Sequence, residues 1–251
     1  MLIAKIRNAV IAFIISWYNF SMLKPRISFM FPAHNEEQNI IHSVEIATKV
    51  LQEVASEYEI IIVNDGSRDS TGTIINELSS KDPHIKAIHH EKNLGYGDAL
   101  WTGIKNAKYD WFFFTDSDLQ FDINEIKKLL VYIPQYKIVL GYRAPRKDPF
   151  MRILNGLGWN ILVRILFGLK VRDIDCAFKL IDRKILAELP LKTRGATTSA
   201  EILVRFMRNG HRWIEVPVSH YPRQRGSPSG AKPKVIIKAF KELIKLYFMG
   251  I

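Results

Sequence analysis

Two aspartates one residue apart, Asp116 and Asp118, end the apolar run of WFFFTDSDLQFD, and a third, Asp122, follows. Like charges so close repel unless water or a cation lies between them. Carboxylates at i and i+2 on a loop can share a hard cation, Mg2+ or Mn2+, that completes its shell with phosphate and water oxygens. The cluster therefore reads as a metal bridge to a bound diphosphate, with the cation neutralising charge on a leaving nucleoside diphosphate. A solvated acidic loop is the plain alternative.

Other stretches carry chemistry of the same kind. In NDGSRDST, Asp65 closes an apolar run and is placed to accept hydrogen bonds from a base or ribose, while Ser67, Asp69 or Ser70 caps the helix that follows. NLGYGDAL is a glycine-rich turn into a helix, but Gly95 and Gly97 lack the third glycine and distal acid of a dinucleotide fingerprint. A hydroxyl acceptor needs a general base, and Glu201 in TTSAEILVRF is the base candidate; otherwise it is an ordinary acid at a helix N-terminus. A phosphate monoester acceptor needs no base, because its oxygen is already anionic at neutral pH. It needs cations instead, and arginine forks bind phosphate in a bidentate manner.

These residues must be positioned by something. RISFMF, EIIIV, HIKAIHH, DWFFFT and KIVLGY read as strands, and helices begin near Glu36, Ser70, Gly97, Asn124 and Arg152. Strands separated by helices imply βαβ units and a mainly parallel sheet. In such sheets the ligand lies beyond the carboxyl ends of the strands. RISFMF runs into PAHNEEQN, EIIIV into NDGSRDST and DWFFFT into DSDLQFD, so three strands deliver carboxylates to one edge. From about Gly141 the pattern is less regular, and it reads as an elaboration of the same sheet.

Bulk properties agree. Apolar residues make up 47% of the 251, enough for a full core, and the single cysteine, Cys176, excludes an internal disulfide or a thiolate metal cage. The formal charge is +11, and from Arg205 onward ten Lys and Arg stand against two acids, Glu215 and Glu242. Such a surplus points to a polyanionic partner. Nucleic acid would explain the charge but not the acidic strand ends, so none is expected. The N-terminal 25 residues read as an interfacial amphipathic helix with Trp17 and Tyr18 near headgroup level, a tilted span being the alternative. In residues 233–251, Ile236, Ile237, Phe240, Leu243, Ile244 and Tyr247 fall on one helix face and Lys234, Lys238, Lys241 and Lys245 on the other. That is a basic amphipathic helix suited to an anionic membrane surface, or one packed on its own domain.

Taken in order, PAHNEE, VNDGS, NLGYGDA, DSDLQ, DIDCAFKLIDR and VPVSHYPRQRGSPSG resemble a family-2 glycosyltransferase of the GT-A fold. More narrowly they resemble the dolichyl- and polyprenyl-phosphate sugar transferases, the dolichol-phosphate mannose synthase group and its glucose-transferring relatives. The resemblance runs from about Arg26 to Phe248. It implies a Rossmann-like, mainly parallel sheet flanked by helices over residues 26–232, with terminal amphipathic helices. It further implies that Pro32, His34 and Glu36 hold base and ribose, with His34 replacing a usual tyrosine, and that Val63 and Asp65 complete the pocket. Asn64 stands where an aspartate is common. Asp116, Ser117 and Asp118 match the diphosphate and metal motif, and Gln120 adds a ligand. Arg143 and Arg152 match contacts to donor phosphates, and Arg223, Arg225 and Lys234 lie where basic residues meet donor or lipid phosphate.

The expectation is thus a hexosyltransferase, with Asp116, Asp118 and Arg143 as its catalytic groups. A metal-dependent reaction would move sugar from a GDP- or UDP-linked donor to polyprenyl or dolichyl phosphate at the cytoplasmic membrane face. The alternatives are transfer to a hydroxyl with Glu201 as base, and a sugar nucleotidyltransferase. The latter wants a basic glycine-rich loop after the first strand, where PAHNEEQN is acidic.

Overall fold

The computed structural model describes residues 24–148, 150–223, 225 and 233–251, the side chains of 233–236 excepted. The expected N-terminal helix therefore lies outside the described residues. The elements in chain order are β1 (Arg26–Ala33), α1 (Ile40–Val54), β2 (Glu57–Asp65), α2 (Thr71–Lys81), β3 (Ile85–His90), α3 (Tyr96–Asn106) and β4 (Trp111–Phe114). A 3-10 turn (Ile123–Glu125) leads to α4 (Ile126–Leu130), β5 (Ile138–Arg143), α5 (Phe150–Phe167), β6 (Lys179–Asp182), α6 (Arg183–Ala187), α7 (Thr198–Arg208), β7 (Ile214–Val218) and α8 (Pro233–Phe248).

The strands form one seven-stranded sheet in the order β3-β2-β1-β4-β6-β5-β7. It is parallel except for β6, which runs antiparallel to both β4 and β5. This is the mixed, mainly parallel sheet expected, and the second half of the chain does complete it. Its last two strands escaped the sequence pattern for physical reasons. β6 has only four residues and opens on Lys179, and β7 is interrupted by Glu215 and Pro217.

Alternation along the strands sends side chains to two separate cores. Met30, Phe112 and Phe114 face one core with α3, α5, α7 and α8. Phe29, Phe31 and Phe113 face the other with α1 and α4. Phe113 is closed on by Phe29 and Phe178, with ring centroids at 4.9 and 4.8 Å. Both faces of the sheet are thus covered, which is why the central strands read as unbroken apolar runs.

Candidate active site

Three parallel strands, β1, β2 and β4, end at the same edge, and each turns sharply there. After β1, Asn35 adopts φ 57, and after β4, Leu119 adopts φ 60. A left-handed conformation costs a leucine about 1–2 kcal/mol, and such strain collects where a loop must hold a set geometry. After β2, Gly66 has φ +63, and a Cβ there would lie 2.3 Å from the Lys92 carbonyl carbon.

The loop after β4 is laced to its neighbours. The Ser117 hydroxyl donates to the Pro32 carbonyl (3.0 Å), and the Ser117 carbonyl accepts from Ser43 of α1 (2.9 Å). Ser117 thus holds the loop, and Pro32 is its anchor. The Gln120 backbone N–H donates to Asp118 Oδ1 (3.1 Å), and its side-chain amide donates to the Tyr221 carbonyl (3.0 Å).

Across this edge, Arg223 reaches in from beyond β7. Its guanidinium donates to Asp118 Oδ2 (3.1 Å) and to Glu36 Oε1, while Asn39 holds Glu36 Oε2 (2.8 Å). A cationic group thus already bridges two carboxylates from separate strand ends. Asp118 is nonetheless raised above the ordinary carboxylate range, chiefly by burial; the Gln120 N–H and Arg223 oppose this. Asp116 is raised too, by burial first and then by the charge of Asp118, against Arg143 and Arg152. Burial disfavours the ionised form of both carboxylates, and a hard cation bound beside them would favour it. Among the described residues no three His, Cys, Asp or Glu side chains converge on one point. The donor set is therefore one or two carboxylates, and it fits a hard divalent ion, Mg2+ or Mn2+, that would take its remaining ligands from phosphate and water; the one side-chain contact of Gln120 is with Tyr221.

β6 contributes because it runs backwards. Its antiparallel register, Phe114 opposite Lys179, brings the residues before it, 173–178, to this same edge. Asp173 grips Arg143 with two bonds of 2.7 Å, and Asp148 lies 3.4 Å from the same guanidinium. Burial works against the Asp173 charge, yet the Arg143 fork holds its carboxyl below the ordinary range. Asp148 also pairs with Arg146 (2.9 Å) and Arg152 (3.3 Å), so the two expected phosphate arginines hang on one carboxylate. Lys179, fully buried, donates to the carbonyls of Ile174 (3.0 Å) and Cys176, tying down the loop before β6. No motif in the sequence marks Asp148; for Asp173 and Lys179 the signal is DIDCAFKL, charged residues abutting a short apolar run.

Several expected residues sit otherwise than their motif suggests. The Val63 side chain lies wholly in the core and cannot touch a ligand. Asp65 turns inward: its carboxylate accepts from the N–H groups of Leu94 and Gly95 and meets His90 Nδ1, each at 2.8 Å. Its local task is to hold the glycine-rich turn against the strand end. His34 contacts the Asp65 carbonyl through Nδ1 (2.8 Å) and remains half-buried at the rim. Arg225 is exposed and donates to the Gln38 carbonyl (3.1 Å). Lys234 lies in the first turn of α8, its side chain outside the described residues. Glu201 is 0% exposed. It accepts from the N–H groups of Lys192 (2.8 Å) and Thr193 (2.7 Å), the Thr193 hydroxyl (2.6 Å) and Arg205 Nε (2.8 Å). Both oxygens are occupied and buried, and Glu201 anchors the loop before α7.

Known proteins resemble this chain in sequence and in fold. The undecaprenyl-phosphate 4-deoxy-4-formamido-L-arabinose transferase of Pectobacterium atrosepticum is 30% identical over 213 residues, covering 84% of this chain and 64% of the relative. A dolichyl-phosphate beta-glucosyltransferase of Trichomonas vaginalis is 31% identical over 183 residues, covering 66% of this chain and 54% of the relative. The chain thus spans less than two thirds of the length of these relatives. The crystal structure of glucosyl-3-phosphoglycerate synthase from Mycobacterium tuberculosis with Mn2+, UDP and glucosyl-3-phosphoglycerate superposes with a TM-score of 0.67 at 21% identity, covering 88% of this chain and 79% of that one. The fold is therefore shared with an enzyme crystallised with a nucleotide and a divalent ion. The family described as "Glycosyl transferase family 2" matches residues 28–189, a span that starts within β1 and runs past β6 and includes both aspartates. Strand ends, carboxylate pair and arginine-bearing β5 all fall inside that span, and the chain belongs to glycosyl transferase family 2.

Proposed function

We propose that this protein transfers a hexose from a GDP- or UDP-linked donor to a polyprenyl or dolichyl phosphate, with inversion at the anomeric carbon. It would act at the cytoplasmic face of the cell membrane, or of the endoplasmic reticulum in a eukaryote. The observation that carries the acceptor class is the sealing of Glu201, the sequence's one base candidate. A phosphate acceptor brings its own anionic oxygen and leaves the protein only positioning and charge neutralisation to perform. The names of the curated relatives, undecaprenyl- and dolichyl-phosphate transferases, support the same class.

In this reading His34, Glu36 and the backbone at the end of β2 frame the base and ribose, with Asp65 holding the turn that closes the pocket. Asp116 and Asp118, with Gln120, hold Mg2+ or Mn2+, which when bound supplies Lewis-acid charge neutralisation to the diphosphate. Arg223 exchanges its carboxylate partners for phosphate oxygens, and Arg225 extends that basic edge toward the acceptor, with Lys234 beyond it. Arg143 is held rigid by Asp173 and presents a preorganised positive charge where the leaving diphosphate gains negative charge. One in-line displacement by a phosphate oxygen, opposite the leaving group, inverts the anomeric carbon.

The test is incubation of the purified protein with labelled GDP- and UDP-hexoses, Mg2+ or Mn2+ and a polyprenyl phosphate, followed by organic extraction. Label in the organic phase, dependent on the lipid phosphate, is expected. Transfer only to a hydroxyl acceptor, or formation of a nucleotide sugar from a sugar phosphate, would replace this reading.

A further inference from the structure

One carboxylate at the active edge has no partner in the arrangement described above. Asp175 lies in the loop that β6 brings to that edge, and Lys179 fixes the loop on both sides of it by donating to the carbonyls of Ile174 (3.0 Å) and Cys176. Asp173, two residues earlier, is spent on Arg143. The Asp175 side chain is exposed, and no described residue hydrogen-bonds to it. Solvent reaches it within a cleft, for protein surrounds it closely enough that burial, and then Asp173, lift its carboxyl to about 6 against the pull of Lys179, Arg143 and Arg146. Its surroundings are those of the site. The charge of Arg143 is felt by Asp116 and Asp175 alike, and both carboxylates act on the phenol of Tyr96, the first residue of α3, which bonds to Ser199 in the first turn of α7.

From this placement we infer that Asp175 is a specificity-determining residue for the donor hexose: its carboxylate accepts hydrogen bonds from sugar hydroxyls and so selects which hexose is transferred. The inference rests on the proposed use of a nucleoside diphosphate hexose and deepens it. The order of strands supports it. In the proposed reading β2 and β1 frame the base and ribose, and the loop after β4 holds the diphosphate. β6 comes next in the sheet, one strand spacing of about 4.8 Å further along the edge. A donor laid along that edge as base, ribose, diphosphate and sugar sets its sugar beside the loop before β6. Chemistry selects the same part of the ligand. An ionised carboxylate only accepts hydrogen bonds and repels phosphate, so the donor group that suits it is an uncharged hydroxyl. A shared metal does not explain it, because among the described residues no three carboxylates or histidines converge on one point. Its two oxygens can take two adjacent hydroxyls, and hexoses differ in how adjacent hydroxyls are oriented. A site built to bond a hydroxyl rejects a sugar that points it elsewhere, because the polar group in the cleft is then left unpaired.

The experiment is isothermal titration calorimetry on the full chain with Mn2+ and no acceptor. UDP is compared with UDP-glucose and UDP-galactose, and GDP with GDP-glucose and GDP-mannose, on the wild type, Asp175→Ala and Asp175→Asn. Both variants should fold, because no side-chain partner is lost, and unchanged circular dichroism and thermal melts check this. Expected is a loss of about tenfold to a hundredfold in affinity for the nucleotide hexose that the wild type binds best, the worth of one hydrogen bond to a charged group. The parent nucleotide should bind as well or better, a negative charge having been removed, and the preference among hexoses should narrow. If no nucleotide hexose loses more affinity than its parent nucleotide, the inference is overturned. Donor affinities that stay intact while turnover collapses overturn it in favour of a role toward the acceptor. A wild type that binds neither UDP nor GDP overturns the proposed function, and this inference with it; retained nucleotide binding separates the two failures.

Discussion

Glu201→Gln separates an anchor from a base. The carboxylate accepts from Lys192 and Thr193 N–H, the Thr193 hydroxyl and Arg205, with Arg205 NH2 2.7 Å from Oε1. An amide keeps the shape but must turn its NH2 either toward Lys192 and Arg205 or toward Thr193, and each of those already donates. At least one hydrogen bond to a charged group is lost, worth about 1.5–3 kcal/mol. Arg205, largely buried, also loses its counter-charge. A total near 3 kcal/mol corresponds, at about 2–4 °C per kcal/mol for a chain of this size, to a fall in Tm of roughly 6–12 °C. Glu201 touches no reacting atom in this arrangement, so kcat/KM at a temperature where the variant stays folded should change by less than about threefold. General-base catalysis is instead worth about a hundredfold to ten-thousandfold. Thermal melts by circular dichroism and kcat/KM with a polyprenyl phosphate are the two readouts. A variant that melts like the wild type yet loses a hundredfold in rate would refute the reasoning.

Arg223→Ala should lower kcat/KM by about tenfold to a hundredfold, the worth of one hydrogen bond to a charged group, measured as label transferred to lipid; an unchanged rate would remove it from the site. Excess chelator should abolish turnover and Asp118→Asn should nearly do so, because in the proposed reading Asp116 and Asp118 together would hold the cation; full activity in chelator would exclude the metal. Asp173, whose folded-state pKa is depressed, contributes stability that is fully present above about pH 3.9, the ordinary aspartate value, and is lost as pH falls through the folded value. Asp173→Asn leaves Arg143 buried without its fork and should cost about 3–5 kcal/mol at neutral pH. Urea unfolding at pH 7 and pH 3 should show that gap shrink at the lower pH, and an equal gap at both would contradict the assignment. Gly66→Ala forces a left-handed alanine and a backbone overlap, so it should destabilise by at least about 1–2 kcal/mol and loosen the turn that Asp65 holds, seen as faster amide exchange at Leu94 and Gly95.

Features that local chemistry dictates are legible in the residues themselves. Unbroken apolar runs ending in Asn, Asp and Gly implied buried parallel strands whose ends meet, because a strand covered on both faces has no other composition. Asp116 and Asp118 announced a charge problem by spacing alone, and the order of motifs placed the chain near the family it belongs to. Tertiary structure alone decided which polar groups remain free. Nothing local distinguishes Glu201, spent on Lys192, Thr193 and Arg205, from a carboxylate facing substrate. Nothing local says that Asp65 is turned toward Leu94 and Gly95, or that Val63 faces the core. The antiparallel β6 brings Asp173 to Arg143, a contact across 30 residues that no periodicity encodes. Arg223 meets Glu36 across 187. Likewise α8 reads as one apolar face, yet packing divides it, burying Leu243 and Leu246 and leaving Ile244 and Phe248 outside. Apolar periodicity records that a face avoids water; whether protein or lipid covers it depends on what the rest of the chain puts there.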